Sequence, residues 1–179
     1  INKEVIMTIV KFGTSGHRGI IGETFSNTHV EAISYAISQY LLTRSNTPIC
    51  VIGFDPRSGN DPLLKTNSFT KTCIDTLNKF GITTVSYTTP VPTPLISWAI
   101  EHYNYDGGII LTASHNPKQY NGIKFNPKNG APAPKHITNE IEKLSNVFIQ
   151  AAPTSKNKKH GHHTTKQPPI LEFTQSLKN

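Results

Sequence analysis

The sequence predicts an α/β protein in which strands alternate with amphipathic helices, and three observations carry that prediction. Apolar residues recur at helical spacing in 28–44, 61–80 and 95–104. Short β-branched runs separate these segments at 49–55, 82–89 and 107–113. The runs feed polar loops rich in Gly, Pro, Asn or Ser, which is where layered α/β domains carry their functional residues.

Taken in order, the glycine-dense FGTSGHRGIIG precedes a helix over 28–44, where Val30, Ile33, Ile37, Tyr40, Leu41 and Arg44 share a spacing and Asn27 or Thr28 can cap. ICVIGFD at 49–55 is a strand that stops in PRSGND. Phe69, Cys73, Leu77 and Phe80 then mark one face of a helix over 61–80, closed by Gly81, a residue that tolerates the left-handed conformation past a helix end. ITTVSYTT at 82–89 is a strand. PVPTP at 90–94 enforces an extended link to a short helix over 95–104, with Leu95, Trp98, Ala99 and His102 on one side. GGIILTA at 107–113 and GIKFN at 122–126 are strands flanking the loop SHNPKQY. Asn139 and Glu142 have capping-box spacing, and Ile141, Leu144 and Phe148 carry a last helix to about 150.

Length and charge bound the rest. A chain of 179 residues is ample for one domain and short for two, so residues 1–150 are read as one folded unit. Residues 151–168, rich in Lys, His and Pro, read as a flexible linker, and 169–179, where Ile170, Phe173 and Leu177 resume helical spacing, as the start of a second, truncated domain. Of the net charge of +7, four units lie beyond residue 150, where five lysines face Glu172 alone. The basic excess is therefore mostly a tail without interleaved aromatics, which argues against nucleic acid as a partner. His160, His162 and His163 sit in that tract without preorganised metal geometry. No run approaches the roughly 20 apolar residues that cross a bilayer, and INKEVIMTIVKFG lacks the pattern of a secretory leader, so no membrane partner and a cytoplasmic location are expected. Cys50 and Cys73 show neither C-x-x-C nor zinc spacing and read as buried thiols.

The chemistry concentrates in GGIILTASHNPKQYNGIKFN. A serine at a strand end most often closes a turn. Here Thr112 and Ser114 add hydroxyls to a tip with outward amides, His115 can exchange a proton near neutral pH, and Asn116-Pro117 stiffens the turn. Neighbours on an extended backbone point opposite ways, so Ser114 and His115 are not read as a hydrolase pair, and no G-x-S-x-G elbow is present. GTSGHRG at 13–19 is neither a dinucleotide fingerprint nor a P-loop. It reads either as a tight turn with an exposed arginine or as an anion cradle in which Arg18 offers a planar fork to phosphate. Lys124 on a short strand is by itself an ordinary edge residue.

Together FGTSGHRG, GFDPRSG at 53–59, TPVPTP, and TASHNP followed by NGIKFN and FNPKNGAPAP resemble the first domain of the α-D-phosphohexomutase family over roughly residues 11–150. The wording is nearest to the members that act on glucose phosphates. The resemblance implies a three-layer α/β/α domain with a mixed sheet, and an enzyme that interconverts glucose 1-phosphate and glucose 6-phosphate through a phosphoserine and glucose 1,6-bisphosphate. It implies that Ser114 carries the phosphate, with His115, Lys124 and Arg18 as further catalytic groups. Thr14, Ser15, His17, Arg18, Asn116 and Lys124 are implied to bind substrate, and Mg²⁺ to meet the chain through the phosphate on Ser114. Asp55 and Arg57 are read as structural support for the serine loop. Mannose-phosphate or dual specificity, and a non-catalytic sugar-phosphate-binding paralogue, are the alternatives.

The family's Asp-Gly-Asp-Gly-Asp metal loop and its sugar- and phosphate-recognition loops are not found in these residues. The chain is accordingly expected to need the missing domains II–IV of the same polypeptide as partners, and to turn over little hexose phosphate alone.

Overall fold

The computed structural model describes residues 9–64, 68–151 and 160–178. The alternation of strands and helices builds one six-stranded sheet, ordered β1-β5-β4-β2-β3-β6. Its strands are β1 (His17–Ile20), β2 (Ile49–Phe54), β3 (Thr83–Tyr87), β4 (Gly107–Leu111), β5 (Tyr120–Pro127) and β6 (His163–Lys166). The run β4-β2-β3-β6 is parallel, and β5 pairs antiparallel with both β4 and β1, so the sheet is mixed as the resemblance implied.

Helices α1 (Asn27–Leu42), α2 (Phe69–Lys79) and α4 (Lys135–Ala151) bury one face of that sheet. Val30, Ile33, Ile37, Cys73, Leu77 and Ile141 meet Ile52, Ile109, Leu111, Ile123 and Phe125, all nearly inaccessible to solvent. Helix α3 (Thr93–His102) packs Leu95, Ile96 and Ile100 against Val51, Val85 and Ile110 on the opposite face. Helix α5 (Ile170–Ser176) leans on α3, with Phe173 edge-on to Trp98. Two buried layers follow from the strict alternation along β2 and β4, whose successive residues face opposite sides. Cys50 and Cys73 are free and buried in the first layer, where desolvation raises both thiols, Cys73 to about 12.

Several element ends differ from expectation for identifiable reasons. Helix α1 is entered through Ser26, whose N–H donates to His29 Nδ1 at 3.2 Å, so a histidine takes the place that Glu or Gln holds in a capping box. Asn27 instead accepts from the Thr72 hydroxyl on α2. Arg44 lies beyond the helix, over the Tyr40 ring. Helix α2 starts at Phe69 rather than 61, because Ser68 caps it by accepting from Lys71 N–H and Asp61 closes a local turn through Leu63 N–H. Residues 65–67 of the expected helix lie outside the described residues. Gly81, at φ +91°, closes α2 as expected, with Gly81 N–H on Asn78 O and Ile82 N–H on Leu77 O. Helix α3 begins at Thr93 because Pro94 occupies its first turn, where no N–H is needed.

The Asn139–Glu142 capping box does not form. Helix α4 starts four residues earlier, and Glu142 accepts from Phe12 N–H at 2.7 Å, tying the N-terminal segment to the helix. The stretch 151–168, expected to be a flexible linker, contains β6, which extends the sheet beyond β3. Residues 152–159 of that stretch lie outside the described residues. His163 in β6 contacts the hydroxyls of Thr84 and Ser86. Among the described residues no group of three His, Cys, Asp or Glu side chains is placed to hold a metal, and no helix is long and apolar enough to cross a membrane.

Candidate active site

The antiparallel turn from β4 to β5 sets the site. Thr112 N–H still bonds to Gly122 O, after which Ala113 and Ser114 swing out into a loop closed by Asn116 N–H on Ala113 O and Tyr120 N–H on Pro117 O. Ser114 stands exposed at its tip with φ +57°, a left-handed conformation that costs a residue with a Cβ on the order of 1 kcal/mol. That conformation overturns the extended-backbone reading of Ser114 and His115. Both side chains emerge on one side, and Ser114 Oγ lies 3.4 Å from His115 Nδ1, longer than a formed O–H···N bond.

The strain is held from below by Asp55 and Arg57, from the polar loop after β2. Arg57 donates through Nε to Asp55 Oδ2 (3.1 Å), through one terminal nitrogen to the carbonyls of Pro117 and Tyr120 (both 3.0 Å), and through the other to those of Ser114 (2.6 Å) and Asn116 (2.8 Å). One planar cation thus gathers four carbonyls of the loop, a task suited to the guanidinium fork. Asp55 is held in turn by the Thr112 hydroxyl (2.6 Å), by Arg57 N–H and by Asn60 Nδ2. Asn60 and Asn121, both fully buried, bond to each other and to the carbonyls of Leu111 and Ser58. Sequence reasoning reached Asp55 and Arg57 as supports. It missed the buried amide pair, whose only signal is an asparagine near the start of the strand YNGIKFNP.

Arg18 reaches the same loop from the far edge of the sheet. It lies opposite Gly122 in the β1–β5 ladder and donates to Asn116 Oδ1 at 3.1 Å, while its buried Nε has no partner among the described residues. Gly13 and Gly16 bond to each other across the turn that exposes Thr14 and Ser15. Gly16, at φ +80°, sits so tightly on β5 that a Cβ there would lie 2.1 Å from Ile123 O and 2.9 Å from Lys124 Cγ. The glycine turn is therefore seated beside Lys124, which is half-buried on β5 and, two residues from Gly122, shares the sheet face of Arg18. Burial, and then the Arg18 charge, hold the Lys124 ammonium below the usual lysine value, with Asp55 opposing.

Of the implied site residues, the structure gathers Ser114, His115, Asn116, Arg18 and Lys124 around the loop and its neighbouring strands, with Thr14 and Ser15 at the adjoining turn. His17 lies apart from them: it is 4% exposed, stacked on His29, with Nδ1 near Lys11 and Nε2 3.0 Å from Thr24 O. Burial lowers its pKa, and both ring nitrogens are taken up by backbone, Nδ1 by Lys11 (O at 3.0 Å, N at 3.3 Å) and Nε2 by Thr24 O. A cleft of about 770 Å³ opens beside Ser114, lined by Arg57, Ser58 and Asn116 and by Lys118 and Gln119, which sequence reasoning did not single out. Arg18, Arg57, Lys118 and Lys124 leave the neighbourhood positive, since Asp55, its carboxylate, is already paired.

Residues 10–148 match the family described as Phosphoglucomutase/phosphomannomutase, alpha/beta/alpha domain I. The chain is 35% identical over 147 residues to a phosphoglucomutase of Komagataeibacter xylinus, covering 78% of this chain and 26% of that protein. It is 34% identical over 137 residues to a phosphoglucosamine/phosphogalactosamine mutase of Sulfurisphaera tokodaii, covering 74% and 27%. A Thermus thermophilus structure, provisionally assigned as a phosphomannomutase, superposes with a TM-score of 0.76 at 31% identity, covering 94% of this chain and 35% of that one. The chain thus spans about a quarter to a third of the length of the relatives it matches. A match over most of the folded residues, together with a shared fold, makes the chain a member of the phosphoglucomutase/phosphomannomutase family, carrying that family's α/β/α domain I.

Proposed function

We propose that Ser114 is the phosphoryl carrier of a hexose-phosphate mutase, with glucose 1-phosphate and glucose 6-phosphate as its substrates and glucose 1,6-bisphosphate as the intermediate. In the forward step the Ser114 Oγ–P bond breaks, a bond forms between phosphorus and a sugar hydroxyl oxygen, and the hydroxyl proton leaves to a nearby base. The reverse transfer, from the other position of the bisphosphate, restores the phosphoserine. The observation that carries this reading is the placement of Ser114, exposed and held in a left-handed turn, with its loop clamped by Arg57 and Arg18 and with Lys124 on the adjoining strand. A phosphoserine brings close to two negative charges and three acceptor oxygens. Cationic groups fixed around it stabilise the charge spread over a transferring phosphoryl without reorganising during the step. His115, 3.4 Å from Ser114 Oγ, is placed to take the proton, and Lys124, half-buried on the adjoining strand, adds positive charge.

Mg²⁺ fits the phosphate of this reading as a hard cation that prefers oxygen ligands. Both carboxylate oxygens of Asp55 are taken by Thr112, Arg57 and Asn60, and the described residues hold no cluster of metal-ligating side chains. The phosphate oxygens on Ser114 would hold it, where it would neutralise charge on the transferring group. The chain spans only about a quarter to a third of the length of its relatives, so the chain alone is expected to show little turnover. The test is turnover of glucose, mannose and glucosamine 1-phosphates by the protein at full length, beside its Ser114→Ala variant. The reading requires glucose 1-phosphate to be the best of the three, with activity lost in the variant. Preference for mannose or glucosamine would move the substrate and keep the chemistry. Activity that survives Ser114→Ala would end it.

A further inference from the structure

Both backbone polar groups of Ser114 are tied to one carboxylate oxygen. Its carbonyl accepts from Arg57, whose Nε donates to Asp55 Oδ2. Its N–H donates to Thr112 Oγ1 at 2.9 Å, and the Thr112 hydroxyl donates at 2.6 Å to that same Oδ2. A left-handed serine has a lower-energy extended alternative, so something must hold each end of the residue. The Arg57 arm holds the whole loop. The Thr112 arm holds Ser114 alone, because its hydroxyl spends its proton on Asp55 and its lone pair on Ser114 N–H. Thr112 is 4% exposed and stands behind the loop, so a hydroxyl expected to face the loop tip is turned inward.

Resting on the phosphoryl-transfer reading, we propose that Thr112 is a positioning residue: its hydroxyl, oriented by Asp55, locks the Ser114 backbone so that Oγ is presented beside His115 and the cationic groups. Losing that hydroxyl frees Ser114 N–H and lets the residue relax toward extended backbone, which turns Oγ away. A misplacement on the order of 1 Å costs up to about 100-fold in a positioned reaction. The loss falls on the transfer step and leaves substrate affinity nearly unchanged, since Thr112 lies behind the loop.

The test compares Thr112→Val, which removes the hydroxyl at similar volume, with Thr112→Ser, which keeps it. In this chain, Ser114 amide hydrogen exchange and its HN–Hα coupling are read by NMR. At full length, phosphoryl uptake by Ser114 from glucose 1,6-bisphosphate is followed. Thr112→Val should raise Ser114 amide exchange about tenfold, the worth of one lost hydrogen bond, and move the coupling toward extended backbone. It should also slow the maximal transfer rate about 10- to 100-fold with KM within about twofold. Thr112→Ser should restore both, and if Thr112→Val does not fold, Thr112→Ala carries the same comparison. Unchanged exchange and coupling in the hydroxyl-free variant would overturn the proposal, as would a freed amide with an unchanged transfer rate. Absence of transfer in the parent would remove the mutase reading, and the NMR arm would still decide whether Thr112 holds Ser114.

Discussion

Replacing Arg57 with alanine is the most informative single perturbation of the scaffold. The substitution deletes five hydrogen bonds at once, four to carbonyls of the 114–120 loop and one to Asp55, from a side chain only 14% exposed. Water can rehydrate the carbonyls that reach the surface, so the five bonds do not add, and a typical net worth is about 1 kcal/mol each or less. Asp55 keeps Thr112 and Asn60 as donors but loses its counter-charge at 21% exposure, which adds part of the penalty for unpairing a sheltered ion. The sum is about 3–4 kcal/mol, or a fall in Tm of about 10 °C for a domain of this size. Urea unfolding should show a lower midpoint with the slope m unchanged, and proteolysis of the folded state should move to 114–120. Arg57→Lys, which keeps the charge and loses the fork, should recover less than half of the deficit. A loss under about 1 kcal/mol for Arg57→Ala, or full recovery by lysine, would refute the claim that guanidinium geometry holds the loop.

Further outcomes follow from the same geometry. Ser114→Gly removes the left-handed penalty at φ +57° and should raise stability by about 0.5–1 kcal/mol in urea while abolishing phosphoryl uptake; a destabilised variant contradicts the strain assignment. Gly16→Ala should destabilise by about 2 kcal/mol or more, because φ is +80° and the new Cβ would meet Ile123 O at 2.1 Å; a neutral result would mean the glycine turn is not seated on β5. His17, with its pKa lowered mainly by burial, binds its proton later in the folded state than in the unfolded one. Stability is therefore fully present above the ordinary histidine value and declines as pH falls from about 6.5 toward the lower folded value, by up to about 1.4 kcal/mol per unit. His163, also lowered mainly by desolvation, acts with the same sign. Stability measured from pH 8 to 5, with His163→Ala as the control, should keep most of this slope, and a flat profile would contradict a neutral buried His17.

Most of the fold was legible because it rests on periodicity. Val30, Ile33 and Ile37 on α1, and the unbroken apolar runs of β2 and β4, announce the same core from sequence and structure. What escaped depends on partners distant in the chain. Strand β1 looks like a glycine turn until β5 pairs with it, and β6 like a solvated tract until β3 receives it. Glu142 reads as a cap three residues after Asn139, but Phe12 N–H, 130 residues away, claims it. The site divides in the same way. Ser114, Arg18 and Lys124 stand out in their motifs and the structure places them near one loop, whereas His17, embedded in one of those motifs, is buried against His29. Nothing in residue spacing reveals that Thr112 and Arg57 converge on one oxygen of Asp55.

The central claim is tested most directly by offering glucose 1,6-bisphosphate labelled with ³²P to the full-length protein and mapping the labelled peptide. The label should appear on Ser114, discharge to the sugar when unlabelled hexose monophosphate is added, and be absent from the Ser114→Ala variant. A protein that takes no label, or that carries it on another residue, would contradict the account.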